Sequence, residues 1–176
     1  MEQEYTITAF SENSIGLLNR ITIIFTRRQV NIESLTVSQS SILGVHKFTI
    51  VVKVTQEKVE KVTKQIDKLV EVLKAFYHTN DEIISQELAL YKVPTEALMK
   101  SNEIENLVRN SGARILEITP DYTVIEKTGY KTETQDLFQK LDSYGVTQFT
   151  RSGTVAVTKN PKELLTQYLK EIEKEN

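Results

Sequence analysis

The residues of this chain best suited to chemistry lie in one short run, Ser11-Glu12-Asn13-Ser14-Ile15-Gly16-Leu17-Leu18. Asn13 or Ser14 carries the side-chain oxygen that accepts a backbone N–H at a helix start. Gly16, in the first turn of the helix so begun, presents no side chain to crowd an approaching ligand. Free N–H groups and the positive end of a helix favour a carboxylate or a phosphate. The same residues also describe a capped helix with a permissive glycine and nothing more, and spacing does not choose between the two. A second irregularity is Val30-Asn31-Ile32-Glu33-Ser34-Leu35-Thr36-Val37. Alternation puts Val30 and Ile32 on one strand face but Leu35 and Val37 on the other, so a regular strand cannot bury both pairs in one core. Either a bulge near Glu33 restores the register, or Ile32 faces a pocket at the sheet edge.

The elements that must position these residues follow from periodicity. Tyr5, Ile7 and Ala9 alternate with polar or aromatic neighbours as a strand, and Leu17, Leu18, Ile21, Ile24 and Phe25 then recur at helical spacing. Residues 30–38 are extended, and after Gly44 a strand places Phe48, Ile50, Val52 and Val54 on one face and Lys47, Thr49, Val51 and Lys53 on the other. Val59, Val62, Ile66 and Leu69 mark a second helix, and residues 71–77 a fourth strand. This β-α-β-β-α-β order recurs from about residue 84. Its strands run through Leu88–Val93, Ile115–Ile118, Tyr122–Glu126 and Val146–Phe149. Its helices carry Leu98, Ile104, Leu107 and Val108, then Leu137, Phe138, Leu141 and Tyr144. Asn160-Pro161 opens a terminal helix with Leu164, Leu165, Tyr168, Leu169 and Ile172. The predicted fold is therefore α+β, with two ferredoxin-like domains at 1–79 and 84–176 and the tail helix on the second. Two helices cover one face of each sheet. The polar Lys47, Thr49 and Lys53 leave much of the first sheet's other face to water, with its edges free to pair.

The remaining sequence excludes several function classes. His46 and His78 have no neighbouring His or carboxylate at a ligand spacing, so neither a metal nor a catalytic base is expected. With no cysteine there is no disulfide, thiolate nucleophile or Cys-based metal cluster. A Walker lysine motif, a Ser/His/Asp grouping and a dinucleotide glycine fingerprint are all missing. RNA-binding domains share the strand and helix order, but 22 Lys+Arg against 24 Asp+Glu gives 22 − 24 = −2, and the central strands lack clustered aromatics for stacking bases. An acylphosphatase-type enzyme needs an arginine in its first loop, and residues 11–16 contain none. Lys58, Lys61, Lys64 and Lys68 alternate with Glu57, Glu60 and Asp67 as a solvated helix face. No apolar run approaches the roughly 18 residues that cross a membrane, and the acidic Met1-Glu2-Gln3-Glu4 is unlike a signal peptide. A cytoplasmic protein without nucleic-acid or membrane partners is expected.

The run Glu12-Asn13-x-x-Gly16-Leu17-Leu18-Asn19-Arg20, then Phe25, Arg28 and Asn31-Ile32-Glu33-Ser34-Leu35-Thr36-Val37, resembles the small regulatory subunit of acetohydroxyacid (acetolactate) synthase. Asp67-Lys68-Leu69-Val70-Glu71-Val72 and Arg151-Ser152-Gly153 extend the resemblance over nearly the whole chain. It implies an N-terminal ACT domain and a second, ACT-like domain. It also implies a subunit without catalysis of its own that activates a separate catalytic subunit carrying thiamin diphosphate, Mg and FAD. Feedback inhibition by valine or a related branched-chain amino acid would then act through an ACT homodimer. On this likeness Asn13 and Gly16 hold the amino acid's charged groups, with Ser14, Ile15 and Leu17 completing the helix mouth. Asn31 and Ile32 of the partner protomer close the site. The family usually has glycine where Gln29 stands, so a left-handed turn there costs roughly 1–2 kcal/mol. The alternative reading is a free-standing ACT-domain amino-acid sensor regulating another enzyme.

Overall fold

The computed structural model describes residues 1–100 and 102–175, which form two compact units. The first comprises residues 1–85 together with the chain from Thr154 onward, and the second Gln86–Gly153.

In the first unit, β1 (Gln3–Glu12), α1 (Leu17–Arg27), β2 (Ser34–Gln39), β3 (Val45–Val54), α2 (Gln56–Asp67) and β4 (Val72–Thr79) follow one another. The antiparallel sheet has the order β2-β3-β1-β4, the ferredoxin-like arrangement, with β2 and β4 at its edges. Register sets Ile50 opposite both Ile7 and Leu35. The core stacks Tyr5, Ile7, Ala9, Phe48, Ile50, Val52 and Val54 against Leu17, Ile21 and Phe25 of α1 and Val59, Val62 and Ile66 of α2. Each such side chain contributes on the order of 1.5–3 kcal/mol by leaving water. Thr55 caps α2 by accepting from the Lys58 N–H, and Asp67 ties its far end to β4 through the Ala75 N–H and the Lys74 ammonium.

The other face of this sheet is not left to water as expected. Thr6, Thr8, Thr49 and Val51 are all buried on it. The chain after Gly153 supplies cover in the form of β9 (Val155–Thr158) and α6 (Leu164–Glu175). The Lys47 ammonium donates to the Ala156 carbonyl at 2.6 Å, the Thr154 N–H to Ser34 Oγ at 2.8 Å, and the Lys159 N–H to the Glu82 carbonyl at 2.8 Å. Leu165, Tyr168 and Leu169 of α6 pack on Phe10, Val45 and Phe76. The tail helix expected on the second domain thus belongs with the first. Asn160 does not cap it: its side chain accepts from the Lys162 N–H within a turn, and α6 begins only at Leu164. The Ile172 side chain lies outside the described residues.

β5 (Ile83–Pro94) begins in the first unit and runs on into the second, where it leads to α3 (Thr95–Lys100) and α4 (Glu103–Asn110) in place of the one continuous helix that periodicity predicts. Asn102 stands at the N-cap of α4, a residue type that favours caps over helix interiors. β6 (Arg114–Ile118), β7 (Tyr122–Gly129), α5 (Lys131–Asp142) and β8 (Gln148–Arg151) complete a sheet of order β6-β7-β5-β8. Ala89, Tyr91, Val93, Ile104, Val108, Ile125, Leu137 and Leu141 fill its core, and the Tyr91 hydroxyl donates to the Thr134 carbonyl at 2.7 Å. Arg151-Ser152-Gly153 has a structural task here. Arg151 reaches the buried Glu87 carboxylate at 3.4 Å, and Ser152 bonds Leu88 through both its backbone N–H and its hydroxyl.

Candidate functional site

The turn from β1 into α1 is built largely from backbone. The Ser14 N–H donates to the Glu12 carbonyl at 3.1 Å, and the first helical bond runs from the Arg20 N–H to the Gly16 carbonyl at 3.1 Å. Gly16 is the N-cap itself rather than a first-turn residue, in the left-handed region at φ 84°, ψ −5°, and α1 has no side-chain cap. Asn13 and Ser14 therefore do not cap the helix as predicted. A left-handed N-cap swings the chain out of the reach that a capping side chain needs, and the amides of Leu18 and Asn19 begin the helix without an intrahelical acceptor. Nothing lies within 4 Å of the place a Gly16 Cβ would take, so the mouth is open. Ile15 is fully exposed at 102% beside it and Leu18 half-exposed, whereas the Leu17 side chain, 2% exposed, belongs to the core.

An ion pair that the sequence reading did not single out fixes this turn. Arg20 Nη2 meets Glu71 Oε1 at 2.5 Å, and the Glu71 carbonyl accepts from the Glu12 N–H at 2.9 Å. A hydrogen bond from its own backbone N–H holds the Glu71 carboxyl below the usual carboxylate range, and Arg20 adds to the effect against a contribution from burial. The signal was present: Arg20 and Glu71 both lie in the runs that carry the family resemblance, with opposite charges.

At the other end of α1 the chain turns through Gln29, which adopts the left-handed φ of 52° that the family's glycine would take. The Gln29 N–H donates to Thr26 and the Val30 N–H to Phe25, so helix-terminating bonds hold the residue there against its own preference. Val30 is buried, and Ile32 is half-buried against the core. Asn31 is exposed, with Nδ2 donating to Glu33 Oε1 at 3.0 Å. The predicted phase break is real and falls at Glu33: its N–H donates at 2.9 Å to the carbonyl of Val51, the residue that faces Ser34, and Ile32 and Leu35 pack on the same core although alternation would part them.

One chain does not bring the two halves of the site together. Asn13–Gly16 precede α1 and Asn31–Ile32 follow it, and an 11-residue helix spans about 16 Å. Because β1 and β2 both run antiparallel to β3, they are parallel to each other. The Asn13–Gly16 turn follows the end of β1 and Asn31–Ile32 lead into the start of β2, which places the two at opposite ends of the sheet. Among the described residues no three His, Cys, Asp or Glu side chains converge on a metal position, and no helix is long and apolar enough to cross a membrane.

Comparison with known proteins gives the family. Residues 7–74 match the family described as AHAS small subunit-like ACT domain, and residues 86–160 that described as small subunit of acetolactate synthase. The acetolactate synthase small subunit of Bacillus subtilis (strain 168) is 37% identical over 158 residues, 89% of this chain and 91% of the relative. That of Mycolicibacterium smegmatis is 34% identical over 160 residues, 90% and 92% of the two chains. The crystal structure of the acetolactate synthase small subunit from Thermotoga maritima has a TM-score of 0.81 at 28% identity, covering 89% of this chain and 98% of that one. With relatives above 30% identity along about nine-tenths of its length, the chain belongs to the acetolactate synthase small-subunit family.

Proposed function

We propose that this protein is the regulatory subunit of an acetolactate synthase. In this reading it binds and activates a separate catalytic subunit and makes that enzyme sensitive to a branched-chain amino acid, valine first among them. The thiamin diphosphate, Mg and FAD of the reaction belong to the catalytic partner. Family membership supports the role, and the separation of the two site halves by the length of α1 supports the effector's place. Two copies joined through their β2 edges about a two-fold axis pair those edges antiparallel. The end of one sheet that carries Gly16 then lies beside the end of the other that carries Asn31, and two equivalent sites form in each dimer.

Each group then has a role. The open first-turn amides beside Gly16 receive the amino acid's carboxylate, and the Asn13 amide oxygen accepts from its ammonium. Asn31 of the partner protomer adds a hydrogen bond, and Ile32 an apolar contact for the branched side chain. Binding across the interface favours the dimer arrangement that activates less well, and a coupling of about 1–3 kcal/mol gives five- to hundredfold control.

Purified protein mixed with the catalytic subunit tests both halves of the reading. Co-purification of the two, a rise in acetolactate formation and valine inhibition appearing only in the mixture are the expected results. A protein that binds valine yet neither co-purifies with nor activates the catalytic subunit is instead a free-standing sensor.

A further inference from the structure

The face of the first sheet turned away from α1 and α2 holds a cavity of about 330 Å³ within the first unit. Its floor is Thr8, Phe10, Lys47, Phe76 and His78, and it is covered by the chain between Ala156 and Leu164. Register places these floor residues in adjacent rows of one face: Thr6 opposite His78, Thr8 opposite Phe76, and Phe10 opposite Lys47. No lining residue belongs to the runs 11–18 or 30–37, so the cavity is separate from the effector site proposed above.

Two groups in it keep hydrogen-bonding capacity that the described residues leave unfilled. His78 is 9% exposed, and its Nε2 is buried without a hydrogen-bond partner among the described residues. Lys47 is half-buried and, among the described residues, its ammonium makes one hydrogen bond, to the Ala156 carbonyl, of the three it can donate. Burial pushes the Lys47 ammonium down from its ordinary range, with Glu163 opposing. A desolvated cation, and an unpaired imidazole nitrogen in the tautomer that carries its proton there, are both stabilised by an anionic acceptor placed between them. Phe10, Phe76, Ile83 and Leu164 supply apolar wall. At the rim the exposed Glu163 carboxylate accepts from the Thr166 hydroxyl at 2.8 Å and places a negative charge that opposes dianions. The volume lies at the small end of the roughly 300–1,000 Å³ typical of ligand pockets.

We propose that this cavity is a second binding site, which takes a small organic monocarboxylate with its oxygens on Lys47 and His78 and its short apolar end against Phe10, Phe76 and Leu164.

Sodium butanoate is the probe, titrated into the full-length protein at constant ionic strength while the imidazole ¹⁵N signals are followed by NMR. The chain has two histidines, so His78→Gln assigns the signals and His46 serves as the internal reference. The expected result is a saturable shift of His78. Lys47→Met weakens it at least about tenfold, the usual loss for a hydrogen bond to a charged group. Glu163→Gln tightens it roughly two- to fivefold by removing a like charge from the rim, a gain that misfolding does not imitate. Inorganic phosphate produces no saturable shift. Gly16→Asp leaves butanoate binding unchanged, which keeps this site's test apart from that of the effector site. A His78 signal that does not saturate with butanoate, or equal affinity in wild type, Lys47→Met and Glu163→Gln, overturns the proposal.

Discussion

Replacing Gly16 by Asp and, separately, by Asn isolates the charge that the mouth of α1 is proposed to receive. A side chain at this position meets no neighbour within 4 Å, so the cost lies in the backbone, held at φ 84°. That strain is about 1 kcal/mol for Asp or Asn, which visit the left-handed region more readily than other residues. In a protein of this size it lowers the melting temperature by about 2–4 °C, and both variants fold. The two side chains have the same shape and crowd a ligand equally; they differ by one negative charge. With the amino acid's carboxylate on the first-turn amides, the Asp carboxylate stands on the order of 4 Å away. Two like charges at that spacing repel by about 4 kcal/mol at an effective dielectric of 20. That is roughly a thousandfold in Kd, and salt screening at an open surface still leaves at least about tenfold. Calorimetric titration of each variant with valine is the assay, with thermal unfolding as the control for folding. The expected order of affinity is wild type, then Asn, then Asp, the last two at least tenfold apart. Equal affinities for Asn and Asp would refute a carboxylate at the helix mouth, and wild-type affinity in both would remove the ligand from Gly16 altogether.

Asn31→Ala should leave stability within about 0.5 kcal/mol, since the exposed side chain bonds Glu33 alone among the described residues, yet weaken valine about tenfold in the same titration. Gln29→Gly should raise stability by about 0.5–1 kcal/mol, because relief of the left-handed strain exceeds glycine's entropy cost; a higher urea midpoint at unchanged slope is the readout. Arg151→Met leaves the buried Glu87 carboxylate with the Thr134 hydroxyl but, among the described residues, no cation, and a loss of about 2 kcal/mol should appear as a lower melting temperature. His78 has its pKa lowered mainly by burial, with Glu82 opposing and Lys47 assisting, so the fold prefers the neutral ring. Its contribution to stability is full above the ordinary value of 6.5 and is lost as pH falls through the depressed one. Stability measured from about pH 7.5 down to about pH 5 should fall more steeply in wild type than in His78→Gln, and parallel curves would count against the assignment.

What the sequence made legible was periodicity that coincides with burial. Phe48, Ile50, Val52 and Val54 alternate and do face the core, and Leu17, Ile21 and Phe25 line the buried stripe of α1. Alternation says which residues share a face but not what lies over that face. Lys47 and Thr49 looked wet because their polar groups are compatible with water, yet Thr49 is buried and the Lys47 ammonium donates to a backbone carbonyl of the tail. The stripe on α6 announced burial without saying against which unit, since Phe10, Val45 and Phe76 lie far away in sequence. At Gln29 residue type argued against a left-handed turn, and the hydrogen bonds that end α1 prevailed. At Ile32 strand alternation does not hold, because β2 begins two residues later, at Ser34. Half of the candidate site could be read in one chain as an open helix mouth; the other half acquires meaning only from symmetry, which a single sequence does not contain.

In the proposed dimer α1 is the element through which the effector acts. Its N-terminal mouth holds one ligand, its C-terminal turn closes over the other, and Leu17, Ile21 and Phe25 lock the span between them to the sheet. A ligand at either site therefore ties the start of one α1 to the end of its mate's. Because each helix is fixed to its own core, neither sheet has room to deform internally; packed cores yield little to strain. What the ligand can change is the relation between the two sheets, and by symmetry it does so twice. The catalytic subunit need only discriminate between two arrangements of rigid bodies, which places the regulatory information in the β2 edge contact and not in any movement inside a domain.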